Sequence, residues 1–358
     1  YGSLCLISFL NHFGAAPSYR PSFRSKWYLS LIGFLMCVYL MFKINSLYAI
    51  VAIIIMALIY LLISHYHSDR KGMEAIFRGA IFQLSRKIHI YLQKSEKSKK
   101  KPDWRPSSIC VSSSTFDTNK PYELLKWISY KYGFGTYIHL IDGYYSKSTH
   151  QKSVKILSEL LERTKDKDDN VYLDTMISPS YTSAIAQIIQ LPSITGMENN
   201  MILLEFNKKD PKNLGQILDN FSLMRAGDYD ICIFGHTTKP VTYKNGIHVW
   251  IKRTDFNNSN LMILMSYIIL GHPDWRKAKI SIFDICKEEE FEESKRKLSE
   301  LIHTGRLPIS PKNIKIIKIG ENTSIKKIIN EKSKNSGLTM IGFREEQVKH
   351  NPEEIFNG

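Results

Sequence analysis

The residues of this 358-residue chain that could do chemistry are dispersed. Cys5, Cys37, Cys110, Cys232 and Cys286 are too far apart for metal-ligand spacing, and their odd number implies no disulfide framework. A reducing compartment suits the soluble part of such a chain. His65 and His67 form an H-x-H pair, but no further ligands converge on it, and the pair reads as interfacial histidines beyond an apolar helix. No G-x-S-x-G elbow, H-E-x-x-H helix or Cys/His pair occurs. The first βα turn, SSSTFDTNKP, is rich in hydroxyls but lacks the glycines that let a backbone close on a pyrophosphate, and no P-loop is present. Gly133-Phe134-Gly135 follows a helix and reads as its C-cap. The acidic run Glu288 to Glu293 opens a helix, where the macrodipole favours carboxylates. No catalytic, ion-binding or metal-binding residue is therefore assigned, no cofactor is expected, and an enzyme is not.

The elements around these groups explain the lack of chemistry. Residues 1–64 hold no Asp or Glu and four basic residues, while residues 65–105 carry eleven basic and four acidic ones. The rest contributes only +4 to the formal net charge of +15. A nucleic-acid binder would place its basic charge on the folded domain. Here it flanks apolar segments, as membrane flanks do, so no nucleic-acid partner is expected.

Residues 27–42 and 46–63 are uncharged and apolar on every face, which predicts two membrane-spanning helices. Only Lys43, Ile44 and Asn45 separate them, so a tight hairpin is expected. Trp27 and Tyr28 sit where an interfacial aromatic belt would, and Lys43 can snorkel outward. Three basic residues precede the hairpin, one lies at its tip and eleven follow, which places both flanks and the bulk of the chain in the cytoplasm. The chain begins with Tyr inside an apolar run and is expected to be the C-terminal portion of a longer protein.

Residues 68–93 show an amphipathic basic pattern, with Met73, Ile76, Phe77, Ala80, Ile81, Leu84 and Ile88 at helical steps. This helix could lie on anionic lipid or pack on a partner helix; packing suits a neck between a hairpin and a folded domain. The charged, Pro-bearing segment 94–106, with Lys97 to Lys101, is a linker. Beyond it, β-rich runs alternate with longer helical ones, from a strand at 107–114 to a strand at 338–344. That alternation predicts α/β architecture with a doubly wound, mainly parallel sheet. The runs 229–235 and 246–253 could form a hairpin.

Several segments, taken in order, resemble the cation-chloride cotransporter family of the amino acid–polyamine–organocation superfamily. Tyr19, Arg20, Pro21, Phe23, Arg24 and Trp27 resemble its W/Y-R-P-x-F-R run, and Trp104-Arg105-Pro106 resembles its W-R-P run before a first strand. Gly196, Met197 and Asn200 resemble its G-M-G-x-x-x-P-N segment, with a shorter loop and no Pro. Trp250, Trp275 and Lys279 keep places in its I-D-V-W and W-x-x-C-K-I-R-V-F strands, while His248 and Ala278 replace the family's acid and cysteine.

The resemblance implies electroneutral symport of chloride with K+ and/or Na+, in a multi-pass protein of the plasma or inner membrane. It implies a universal-stress-protein-like cytosolic domain that dimerises and regulates. The family's ion sites lie in an N-terminal transport core outside this chain, so no ion ligand is carried over. The expected organisation is the end of a membrane helix at 1–12, a transmembrane hairpin with its preceding loop at 13–66, a neck and linker at 67–103, and the α/β domain at 104–358. Alternatives are the tail of an amino-acid permease of the same superfamily and a membrane-anchored nucleotide-sensing α/β module.

Overall fold

The computed structural model describes residues 1–14, 26–66, 73–96, 104–165, 170–195, 198–252, 256–304, 311–320, 324–344, 346 and 348. It divides into two compact units, Tyr1–Pro102 and Asp103–Gly358.

The first unit is helical: α1 (Gly2–Gly14), α2 (Trp27–Ile44), α3 (Ser46–Tyr66) and α4 (Met73–Glu96). α2 and α3 are long and apolar enough to cross a membrane. Their apolar side chains are left outward: Leu29, Ile32, Leu35 and Tyr39 on α2, and Leu47, Ile54, Leu58 and Leu62 on α3, are all at least half exposed. In water such a surface would collapse; in hydrocarbon it is the solvated surface. Asn45 joins the two helices in an extended conformation. Its Oδ1 accepts from the amides of Leu47 (3.0 Å) and Tyr48 (3.2 Å), so it is the N-cap of α3.

α1 holds this unit together through small residues. Ser8 and Ser30 hydroxyls meet at 3.1 Å, Gly33 faces Cys5, and Gly2 faces Cys37. Small side chains let helix axes approach closely where no hydrophobic effect drives association. α1 also packs on α4: a Cβ at Gly14 would lie 3.1 Å from the Ala80 nitrogen. Phe9, Phe13 and Trp27 form an aromatic cluster, with the Lys87 ammonium 5.2 Å from the Phe13 ring centre.

The second unit is α/β and all of its strand pairs are parallel. Strands β1 (Ser107–Ser112), β2 (Phe134–Asp142), β3 (Val171–Ser178), β4 (Met201–Asn207) and β5 (Asp230–His236) form a sheet of order β3-β2-β1-β4-β5. Strands β6 (Ile247–Lys252), β7 (Ile280–Cys286), β8 (Ile314–Lys318) and β9 (Leu338–Ile341) form a second sheet of order β8-β7-β6-β9. The second sheet thus repeats the winding of the first: each begins in its interior, grows to one side, then crosses to the other.

The helices that connect them are α5 (Lys120–Ser129), α6 (Lys147–Thr164), α7 (Tyr181–Ile188), α8 (Lys212–Asp219), α9 (Phe221–Ala226), α10 (Phe256–Leu270), α11 (Phe291–Thr304) and α12 (Ile325–Ser333). One core gathers side chains of both sheets with α5, α6, α10 and α11, including Trp127, Tyr137, Val249 and Trp275. A second core covers the other face of the five-stranded sheet with α7, α8 and α9. A third packs α12 on Trp250 and Phe283.

The expected α/β class with two candidate membrane helices and parallel sheets is borne out. The hairpin of 229–235 with 246–253 is not: β5 pairs with β4 while β6 pairs with β7 and β9. The intervening segment contains Pro240 and a 3-10 turn, Tyr243–Asn245, and carries the chain from one sheet to the next. Between β4 and β5 the chain forms two helices, α8 and α9, broken at Asn220, whose side-chain amide donates to the Gln216 carbonyl (2.8 Å).

Candidate functional site

Four of the singled-out residues meet at the amino ends of β1 and β4. Asn200 Nδ2 donates to the Arg105 carbonyl (2.7 Å), and its Oδ1 accepts from the Ser107 amide (2.9 Å). These two bonds bracket Pro106, whose carbonyl accepts from Phe134 at the start of β2 (2.8 Å). The Asn200 carbonyl accepts from Asp230 at the start of β5 (2.8 Å). Trp104 reaches the Asp230 carboxyl; burial raises that group's pKa, and the Arg225 charge and the Trp104 hydrogen bond draw it down in part. Asn200 therefore fixes where β1 starts relative to β4. A proline at position 106 leaves no amide to satisfy there, and the asparagine supplies the bonds on either side of it.

Trp250 and Trp275 belong to the cores. Trp250 stacks on Phe283, with ring centres 4.5 Å apart, and its Nε1 donates to Ser333 (2.8 Å). Trp275 meets Trp127 and Tyr243 edge to face. Lys279 is exposed, but its carbonyl accepts from Ile247 (2.9 Å) beside Gly246, whose φ of 79° suits only glycine. Trp27 sits at the amino end of α2 against Phe9, Phe13 and Tyr28. Arg20, Pro21, Phe23, Arg24, Gly196, Met197 and His67 lie outside the described residues.

A cluster that the sequence reading did not single out lies at the opposite, carboxyl ends of the strands. Glu205 on β4 is buried, its side chain 3% exposed. His236 at the end of β5 donates through Nε2 to Glu205 Oε2 (2.6 Å). Ser112 at the end of β1 donates to Glu205 Oε1 (3.0 Å), and the Ser114 hydroxyl donates to the same oxygen. Beside them, Thr115 Oγ1 meets His139 Nδ1 (2.7 Å) and accepts from the Tyr137 hydroxyl (3.1 Å).

Burial pushes the Glu205 pKa up, but hydrogen bonds from His236 and Ser114 outweigh it and hold the carboxyl below its ordinary range. Burial, with the Lys152 charge adding to it, lowers the His139 pKa. The residues were visible as SSSTFDTNKP; what hid them was that Glu205 and His236 stand 91 and 122 residues beyond Ser114. No group of three or more His, Cys, Asp or Glu suited to a metal is found among the described residues.

In alignments of 333 positions that cover 86% of it, the chain is 23% identical to cation-chloride cotransporter 2 of Oryza sativa subsp. japonica and 24% identical to cation-chloride cotransporter 1 of the same plant. The chain is similar to cation-chloride cotransporters. A third relative, cation-chloride cotransporter 1 of Arabidopsis thaliana, is 23% identical over 308 residues. The family resemblance carried by the motifs is thus borne out, and the likeness sets the chain in a membrane context. The chain spans about a third of the length of the cotransporters it matches, 32% for the two rice proteins. No family model matches it.

Proposed function

We propose that the chain is the C-terminal portion of a secondary active transporter that moves chloride with K+ and/or Na+. In this reading the α/β unit is a cytosolic regulatory and dimerisation domain, the protein is not an enzyme, and the ions bind in a transport core outside this chain. The observation that carries it is the extent of the likeness, which runs over 86% of the chain, more than the α/β unit alone makes up, and so extends into the helical unit. A permease tail of the same superfamily is the competing assignment. Chloride-dependent rubidium uptake by the complete protein tests the choice; uptake that is driven by amino acids and indifferent to chloride overturns it.

The dimer contact in this reading is α4. Phe77, Ile81, Leu84, Ile88 and Tyr91 follow each other at steps of four and three, the seam of a coiled coil, and every one of them is exposed. The α1 contact centres on Gly79, which at 100° per residue lies about 160° around the helix from Phe77. In a parallel pair, Lys87 would lie across from Leu92, and Ala80 across from Ser85, so the flanking positions bring no like charges together. A second copy of α4 is the occupant this spacing suits best, and it gives the neck its stiffness.

A further inference from the structure

The five-stranded sheet reverses its winding between β1 and β4. In open parallel sheets the crevice outside the carboxyl ends of the strands, at this reversal, is where ligands bind, and phosphate-bearing ligands are common there. The groups that line such a crevice are present here: hydroxyls from the turn after β1 and a histidine at the end of β5. All of them point at one carboxylate, and that carboxylate is the chain's own.

We propose that Glu205 is a built-in anion that fills the switch-point crevice, so that this crevice is an oxyanion site occupied from within and closed to anionic ligands. Three observations converge on it. Glu205 and His236 are buried, with side chains 3% and 5% exposed, so the pair is not a surface ornament. The donors come from the carboxyl ends of β1 and β5, on either side of the β4 that carries the carboxylate, which is the arrangement of a binding site rather than of a local turn. The carboxylate oxygens accept three side-chain donors, which leaves no donor of the set free for an incoming anion. The α/β unit accordingly keeps the frame of a ligand-binding sheet while its own side chain supplies the ligand.

The test is replacement of the internal anion by an external one. Glu205→Ala in the full chain, held in detergent micelles, leaves Ser112, Ser114 and His236 facing a space the size of a small carboxylate. Its thermal midpoint is expected to fall below wild type and to rise with acetate in a saturable way. Acetamide, neutral and of the same shape, should not raise it, and wild type should respond to neither. Glu205→Ala/His236→Ala should lose the acetate response, because the strongest donor is gone. Equal responses to acetate and acetamide, a folded Glu205→Ala with no acetate response, or a wild-type response as large as the variant's would overturn the proposal. If Glu205→Ala does not fold unaided, the refolding yield gives the same readout: acetate-dependent recovery supports the proposal and acetate-independent failure overturns it.

Discussion

Asn200 and Arg105 stand 95 residues apart, and the Asn200 side-chain amide donates to the Arg105 carbonyl at 2.7 Å. The same side chain takes the Ser107 amide, so one residue ahead of β4 sets the register in which β1 begins. Asn200→Ala should lower stability by about 1–3 kcal/mol, the cost of leaving partly buried backbone groups without partners. Asn200→Asp keeps the acceptor and loses the donor, and should fall between alanine and wild type. Thermal unfolding of the three proteins checks the order.

Acid sensitivity should trace in part to Glu205. Its pKa is lower in the folded protein than in the unfolded chain, so its contribution is complete above the ordinary glutamate range and is lost as pH falls through the folded value. Glu205→Gln should therefore lower the thermal midpoint at neutral pH. The gap to wild type should shrink as the pH is taken well below about 4. A gap that stays constant with pH would remove the charge from the explanation.

Asp284 on β7 should behave in the opposite sense. Burial raises its pKa, and the Ser294 hydroxyl and a backbone amide offset only part of that. Its folded pKa lies above its unfolded one, so stability falls as pH rises from about 4 toward neutrality. Asp284→Asn relieves the cost of a buried charge, and its midpoint relative to wild type should climb over that interval.

The small-residue contact between α1 and α2 can be read by cross-linking. Ser8→Cys with Ser30→Cys, placed in a background without the native cysteines, should form a disulfide in membranes, because the two hydroxyls meet at 3.1 Å. Moving one partner to Leu4, on an exposed face of α1, should abolish it.

The α4 seam makes a prediction about copies. Ile81→Cys or Ile88→Cys should cross-link two complete proteins, whereas Arg86→Cys, roughly opposite on the helix at 100° per residue, should not. Ile88→Asp should reduce the dimer fraction seen by cross-linking without lowering the thermal midpoint of the α/β unit. Cross-linking from position 86 as strong as from 81 would reject the seam.

Topology can be tested independently. Ile44→Cys, at the joint between α2 and α3, should react with an impermeant maleimide added outside intact cells and not with reagent confined to the cytosol.

Much of the architecture was legible because it rests on local patterns. Two uncharged apolar runs specify two helices whatever surrounds them, since their backbone bonds close within the segment. The β-rich runs between amphipathic helices specify parallel pairing, because a crossover helix returns the chain to the same end of the sheet. Where the reading failed, the deciding contacts were distant. Whether β5 meets β6 depends on α5 and α10, which pack against each other and let one core serve two sheets. The break at Asn220 depends on a side chain competing for a backbone carbonyl, which periodicity does not reveal.

The candidate site divides along the same line. The sequence by itself determined the two long apolar helices, the basic segment after them, the α/β alternation and the family likeness, since each is written in residue order and composition. Only the tertiary structure decided that Asn200 brackets Pro106, that the strands split into two sheets of like winding, and that Glu205 lies under Ser112, Ser114 and His236. The hydrogen bonds among them join residues 31 to 95 positions apart, and a carboxylate becomes an internal ligand only when folding brings its donors to it and removes the water that would otherwise hold it.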